Sequence, residues 1–364
     1  MGTVSSCPIA STAFVKLTHQ NNFEIIRLTL ASLVVVLHCY DLTGTHYTDY
    51  LADWTAGQIT LPYIIIRGFV IMSGYLVLKS LQRSTSVKQY LWRRFLRIYP
   101  PLVVALLLCA LVAGPLLTSL PVWDYYRHPD TWVYMVYSLR IFMVKHTECL
   151  PGVFANNPAT CAVNGSLWTI WVEEVLYIAL IGFFFIRKNP KTLRIALFIT
   201  WFVLMVVYQL AIRRWADQSI PFSRNVQWDY FADLLLYFCS GCLMTLFSWK
   251  DMRRNRIVLA LAIAAAAISC GLHVYQPLGY LLYPVVMVAF GSDCVPLLLK
   301  PFRWGNPSYG LYIYSYPLQQ ALIQCLAPSA GMLLLLGVPL SFAAGYASWH
   351  LVEKPFLRLK ERVK

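Results

Sequence analysis

Ten long apolar runs set the terms for any fold this chain can adopt. They cover about 23–41, 62–79, 99–120, 165–186, 193–212, 229–248, 256–272, 275–292, 304–326 and 331–352. A hydrocarbon layer ~30 Å thick takes about 20 residues of helix to cross, and each run is near that length. A soluble domain could not bury so many, since 59% of the 364 residues are hydrophobic and only 13% charged. A transmembrane barrel needs short alternating strands, and that pattern is absent. The reading is an all-α polytopic membrane bundle of about ten transmembrane helices. Pro277, Pro284, Pro307 and Pro317 interrupt the 275–292 and 304–326 runs, whose spans are the least regular.

The basic residues orient the bundle. Loop 79–97 holds Lys79, Arg83, Lys88, Arg93, Arg94 and Arg97, and loops 187–194 and 250–256 are also basic. With ten spans, these loops and both termini fall on one side, which the positive-inside rule makes the cytoplasm. The net charge of +14 is therefore topological, and no nucleic-acid stripe is present. No cleavable signal peptide is recognisable. The expected organisation is a cytoplasmic tail over 1–22, a membrane domain over 23–352 and a cytoplasmic tail over 353–364. The plasma (inner) membrane is the expected site. The longest outer segment, 121–164, is expected to fold as a cap, with an amphipathic stretch from Thr131 to Val144. Cys149 and Cys161 both fall in it, where a disulfide can persist; two free thiols are the alternative. Asn164-Gly165-Ser166 matches a glycosylation sequon but also suits a tight turn before a helix. Cys239 and Cys242 form a CxxC inside an apolar run, only half a structural zinc site, so no metal is expected.

Within the first run, FEIIRLTLASLVVVLHCYD (23–41), Arg27 and His38 are eleven residues apart. Eleven residues of α-helix turn through about 1100°, roughly 20° past three full turns, so both side chains share a face ~16 Å apart along the axis. Glu24 and Asp41 each lie three residues away from one of them. Lipid does not tolerate such a face, so it should look into the bundle or a wet cavity. A packing histidine is the bland alternative. A neutral imidazole held by Asp41 could instead take a proton from a hydroxyl.

Other polar groups recur inside or beside the runs. In WRRFLRIYP (92–100), Arg93, Arg94 and Arg97 enter the third span from the cytoplasmic side; Arg94 and Arg97 share a face and can fork onto a phosphate, or simply anchor the helix. NGSLWTIWVEEVLYI (164–178) carries Glu173 and Glu174, of which at least one should face a cavity. Its Trp168 and Trp171 can stack on a sugar or sit in the interfacial belt. Arg67 needs a buried partner, for which Glu173 or Glu174 is a candidate. Ser308, Tyr309, Tyr312 and Ser315 place hydroxyls on a proline-interrupted helix that can line a cavity.

Taken in order, Arg27-x10-His38, SGYL (73–76), RRFLRIYP, SLWTIWVEEVLY, SYGLYIYSYP and the closing LVEKPF resemble the acyltransferase 3 family of membrane acyltransferases over nearly the whole chain. Many members read YLWH where this chain has Tyr312-Ile313-Tyr314-Ser315, so a second histidine is missing. The resemblance implies transfer of an acyl group, usually acetyl from acetyl-CoA, to a surface carbohydrate such as a polysaccharide or lipid-linked oligosaccharide. It implies an essential Arg27–His38 pair and a donor site at Arg94 and Arg97. The expected roles are His38 as base or acyl carrier, Asp41 as its orienter, Glu173 or Glu174 as a further carboxylate, and Arg67 or a hydroxyl of 308–315 as oxyanion donor. Arg93, Arg94, Arg97 and Arg27 are expected on the donor, and Trp168, Trp171, Ser308, Tyr309, Tyr312 and Ser315 on the acceptor. Acetyl-CoA is a co-substrate here; no bound cofactor is expected. A transporter or flippase fits the same spans and buried charges, though no inverted repeat supports it. A non-catalytic assembly partner is the third possibility.

Overall fold

The computed structural model describes residues 21–139, 149–212, 221–223, 226–295, 302 and 304–361. Its principal helices are α1 (Phe23–Thr43), α2 (Leu61–Arg83), α3 (Val87–Leu117), α4 (Pro129–Ser138), α5 (Gly165–Phe183) and α6 (Pro190–Leu210). They continue with α7 (Trp228–Leu246), α8 (Met252–Gly271), α9 (Tyr275–Ser292), α10 (Ser308–Leu326) and α11 (Ala330–Lys360). Among the described residues, eight of these are long and apolar enough to cross a membrane. The two further spans expected at 275–292 and 304–326 are helical as α9 and α10, but their tyrosines, prolines and glutamines keep them below that apolarity. A short antiparallel hairpin, Pro221–Ser223 with Val226–Gln227, precedes α7 and was not foreseen.

Two helix limits move from the sequence reading. α3 begins at Val87, so WRRFLRIYP is helical and Pro100 and Pro101 lie inside the helix. From α10, the Tyr309 and Tyr314 hydroxyls donate to the Ile98 (2.9 Å) and Pro101 (3.3 Å) carbonyls and tie the interrupted stretch to the bundle. α11 does not stop near 352: residues of the expected C-terminal tail continue it, and Glu353 is buried. Residues 362–364, and the expected N-terminal tail up to residue 20, lie outside the described residues.

Close backbone approach places α2 and α7. A Cβ at Gly74 would strike the Phe238 carbonyl, and one at Gly241 would strike the Ile71 carbonyl. Small residues at such crossings are what membrane helices use where water offers no driving force. α1 packs against α10, α11 and α2, which puts the Arg27–His38 stripe at the centre. Its start is fixed by Asn22, whose side chain donates to the Phe290 carbonyl (3.0 Å) and accepts from the Val295 amide (3.0 Å). Cys242 packs with its thiol on the Gly74 carbonyl (3.4 Å), and no metal-binding cluster occurs among the described residues.

Val122–Arg127 docks through Tyr125 and Tyr126, whose hydroxyls donate to the Ala110 (2.7 Å) and Leu111 (2.9 Å) carbonyls of a π-helical stretch in α3. The amphipathic helix runs over Pro129–Ser138; part of its expected C-terminal half lies outside the described residues. Cys149 and Cys161 are joined by a disulfide, and the loop they close is seated on α10 by glutamines. Gln320 donates to the Ala159 (2.8 Å) and Ala162 (2.9 Å) carbonyls, and Gln324 accepts from the Phe154 amide (3.2 Å). Asn164 serves the turn reading: its Oδ1 accepts from the Ser166 amide (3.3 Å) while its Nδ2 donates to the Ile313 carbonyl (2.9 Å).

Candidate active site

The stripe on α1 faces a cavity of about 270 Å³ enclosed by α1, α2, α3, α5 and α10. Arg27, His38 and Asp41 all line it, as the helical spacing requires for one face. α2 contributes Phe69 and Ser73, α3 contributes Arg94 and Arg97, α5 contributes Trp168, Thr169 and Glu173, and α10 contributes Ser308, Tyr309 and Tyr312.

One end of the cavity is strongly basic. Arg94 and Arg97 reach it from the first half of α3 and Arg27 from the start of α1. Arg97 has one distant carboxylate, Glu353 of α11, at 3.9 Å. Arg94 donates to the Ser80 hydroxyl (3.3 Å), and its Nε is buried without a partner. Neither Arg27 nor Arg94 joins an ion pair among the described residues. Glu173 interacts electrostatically with all three arginines, and Glu24 with Arg27.

A hydroxyl–carboxylate chain forms the wall between the two ends. Ser73 donates to the Tyr177 hydroxyl (3.0 Å), and Tyr177 donates to Glu173 Oε2 (2.9 Å). Arg27 interacts electrostatically with Glu173 and Tyr177. Tyr177 was passed over in the sequence because it sits in an apolar run; its position four residues after Glu173, on the same helix face, was the available signal.

At the other end stands His38, its ring edge-on to Tyr316 at 5.1 Å between centroids. Its Nδ1 is buried and has no hydrogen-bond partner among the described residues. Asp41 lines the same cavity but is exposed and does not hold that nitrogen, so the expected Asp41–His38 orienting bond is not formed. In the same cavity wall, the Tyr312 hydroxyl donates to the Ser166 carbonyl (2.9 Å) and pairs with the Thr169 hydroxyl. Ser166 also lines the cavity with a buried, unpartnered Oγ. The sequence reading saw that serine only as part of a sequon or turn.

Several expected members stand elsewhere. Arg67 is paired with Asp233 of α7 at 2.6 Å, and neither Glu173 nor Glu174 is its partner. It lines a separate cavity, because Tyr63 and Arg67 lie on one face of α2 while Ile66, Phe69 and Ser73 lie on another. Glu174 points away from the first cavity and hydrogen-bonds Tyr99. Trp171 packs against Phe231, leaving Trp168 as the tryptophan in the cavity wall. Ser315 is fully buried outside the lining, and Arg93 turns toward the Ser84 hydroxyl (3.4 Å).

Comparison with known proteins bears on this geometry. A family model described as an acyltransferase domain matches residues 20–350. The chain is 28% identical over 348 residues to the O-acetyl transferase of Shigella phage Sf6, an alignment spanning 93% of this chain and 97% of that protein. It is 32% identical over 177 residues to nodulation protein 10 of Rhizobium leguminosarum bv. viciae, across 44% of this chain and 43% of that one. No solved structure matches.

Proposed function

Since the chain belongs to the acyltransferase 3 family, we propose that it is an O-acetyltransferase of the inner (plasma) membrane. In this reading acetyl-CoA is the donor, and the acceptor is a hydroxyl of a cell-surface polysaccharide or a lipid-linked saccharide. The observation that carries it is the shared cavity, with Arg27 and Arg94, neither in an ion pair among the described residues, at one end and the unpartnered Nδ1 of His38 at the other. The carbohydrate assignment rests on the family resemblance. Family membership leaves the transporter and scaffold readings without an observation in their favour.

The residues divide the work by position. Arg94, Arg97 and Arg27 hold the donor's phosphates at the cytoplasmic mouth, and the pantetheine arm lies along the wall of Ser73, Tyr177 and Glu173. Acetyl-CoA fits that end because its phosphates would add negative charge beside the three guanidinium groups. His38 takes the proton of the acceptor hydroxyl as its oxygen attacks the thioester carbon. The C–O bond forms, the C–S bond breaks, and the proton passes to the departing thiolate. Alternatively His38 takes the acetyl group first and yields it to the hydroxyl. Ser166, whose Oγ lines the cavity without a hydrogen-bond partner among the described residues, can serve the oxyanion, a role that removing one donor measures at about 10²–10³ in rate. Trp168 lines the acceptor's approach, whereas Ser308, which starts α10 next to Tyr309 and Arg97, lines the donor end.

The test is transfer of radiolabelled acetyl from acetyl-CoA by purified protein to surface glycan, comparing His38→Ala with the parent. Loss of transfer with an unchanged chromatographic profile is expected. Transfer by His38→Ala at the parent rate would remove the catalytic assignment.

A further inference from the structure

A second cavity, of about 240 Å³, lies on the opposite face of α2 and belongs to no step described above. It is bounded by the starts of α2 and α9 and the end of α6, so it opens at the non-basic side of the bundle. Its volume equals roughly eight waters at ~30 Å³ each, about the size of one sugar ring.

Its lining has an unusual chemistry for a bundle interior. Tyr63, Tyr208, Tyr237 and Tyr280 bring ring faces together with hydroxyls, and Gln209 and Gln276 bring amides. Tyrosine hydroxyls and glutamine amides both donate and accept, which is what vicinal hydroxyls ask of a site. The one full charge of each sign is internally matched: Arg67 pairs with Asp233, and Tyr280 donates to the same carboxylate at 2.6 Å. Arg67 also lies 4.2 Å from the Tyr63 ring centre, while its Nε remains buried and unused. A phosphate or carboxylate would find no free cation here. The tyrosine hydroxyls also bond one another, Tyr63 with Tyr237 and Tyr208 with Tyr280, so a neutral polyhydroxyl ring would find aromatic faces, hydroxyl oxygens with a remaining acceptor position and the Arg67 Nε–H.

The two cavities are neighbours. Tyr230 separates them, with Trp168 of the first cavity 5.9 Å from its ring on one side and Arg67 5.5 Å on the other. One ring therefore contacts the walls of both cavities.

We propose that this second cavity is a binding subsite for a neutral, uncharged monosaccharide unit of the acceptor, next to the unit that is acylated. The proposal rests on the carbohydrate reading above, and its test separates the two. Binding of neutral methyl hexopyranosides, methyl 6-deoxyhexopyranosides and their disaccharides is titrated by intrinsic fluorescence on detergent-purified full-length protein, with glucuronate as the acidic control. Tyr208→Phe and Gln276→Ala are compared with the parent, and each should weaken neutral-sugar binding about threefold to tenfold, the range for one hydrogen bond to a neutral partner. In transfer assays both variants should raise the acceptor KM by a similar factor for di- or longer saccharides, with the acetyl-CoA KM unchanged and monosaccharide acceptors unaffected. A wild-type protein that binds none of the neutral sugars, or that prefers glucuronate, overturns the proposal. So do variants that transfer to long acceptors like the parent, and that outcome leaves the acetyltransferase reading standing. Loss of neutral-sugar binding in the variants, with no acyl transfer in any form of the protein, would instead keep the subsite and remove the acetyltransferase reading.

Discussion

Removing the guanidinium of Arg67 tests whether that residue is structural or chemical. At 2.6 Å and an effective dielectric near 20, its attraction to Asp233 is about 6 kcal/mol before desolvation is counted. Desolvation offsets much of this, but deleting one partner leaves the other charge stranded, at a typical cost of ~3–5 kcal/mol. Asp233 is 5% exposed and would keep only the Tyr280 hydroxyl. Unfolding entropy of about 2.1 cal/mol/K per residue over 364 residues gives ~0.76 kcal/mol/K, so Arg67→Met should lower the melting temperature by about 4–7 °C. Arg67→Met with Asp233→Leu should regain most of that loss, since an apolar pair can replace a buried ion pair nearly neutrally. The assay is thermal unfolding in detergent followed by size exclusion, alongside turnover on a monosaccharide acceptor per folded molecule. A single variant of parental stability and no turnover would refute the structural role and restore Arg67 as a catalytic group. So would a double variant that is stable but inactive on the short acceptor.

Three other substitutions follow from particular contacts. Gly74→Ala drives a methyl into the Phe238 carbonyl and should cost about 1–3 kcal/mol, read as a lower melting temperature; an unchanged one would mean that α2 and α7 do not meet there. Cys149→Ser opens a loop with a sequence separation of 12, worth about 3 kcal/mol in the chain-entropy account, and should expose the cap loop to protease before the bundle is cut. Tyr177→Phe leaves Glu173 Oε2 without its donor and should slow transfer roughly tenfold while acceptor KM stays fixed, measured by steady-state kinetics in both substrates.

The reach of the sequence follows the period of the helix. Arg27 and His38 were legible as one face because their relation is internal to a single helix, and the cavity receives both. The same holds for Arg94 and Arg97. Partners across helices were not legible. Arg67 was expected to meet Glu173 or Glu174, yet its partner comes from α7, 166 positions further on (233 − 67), because the glycine contacts between α2 and α7 draw those two helices together. Glu173 and Glu174 could not be told apart by sequence. Adjacent positions differ by about 100° on the helix, and only the placement of α10 and α3 decides which one meets the cavity. Asp41 had the right spacing to serve His38, but it lies near the end of α1, where exposure competes with that contact.

The extension of α11 shows what apolarity alone conceals. LVEKPF looked like the exit from the membrane because Glu353, Lys354 and Pro355 end the hydropathic run. In the fold that stretch remains helical and returns Glu353 toward Arg97 at 3.9 Å, with the Trp92 indole donating to the Leu359 carbonyl at 3.4 Å. The last helix therefore closes against the first half of α3, where the donor arginines emerge. A carboxylate that far from Arg97 tempers the repulsion among three guanidinium groups without neutralising them. With Glu173, whose field also acts on these arginines, it sets two carboxylates against three guanidinium groups at that end of the cavity. In the proposed reading, the donor's phosphates would add negative charge at that end, and the hydroxyl to be acylated would meet the imidazole nitrogen that has no partner among the described residues at the other.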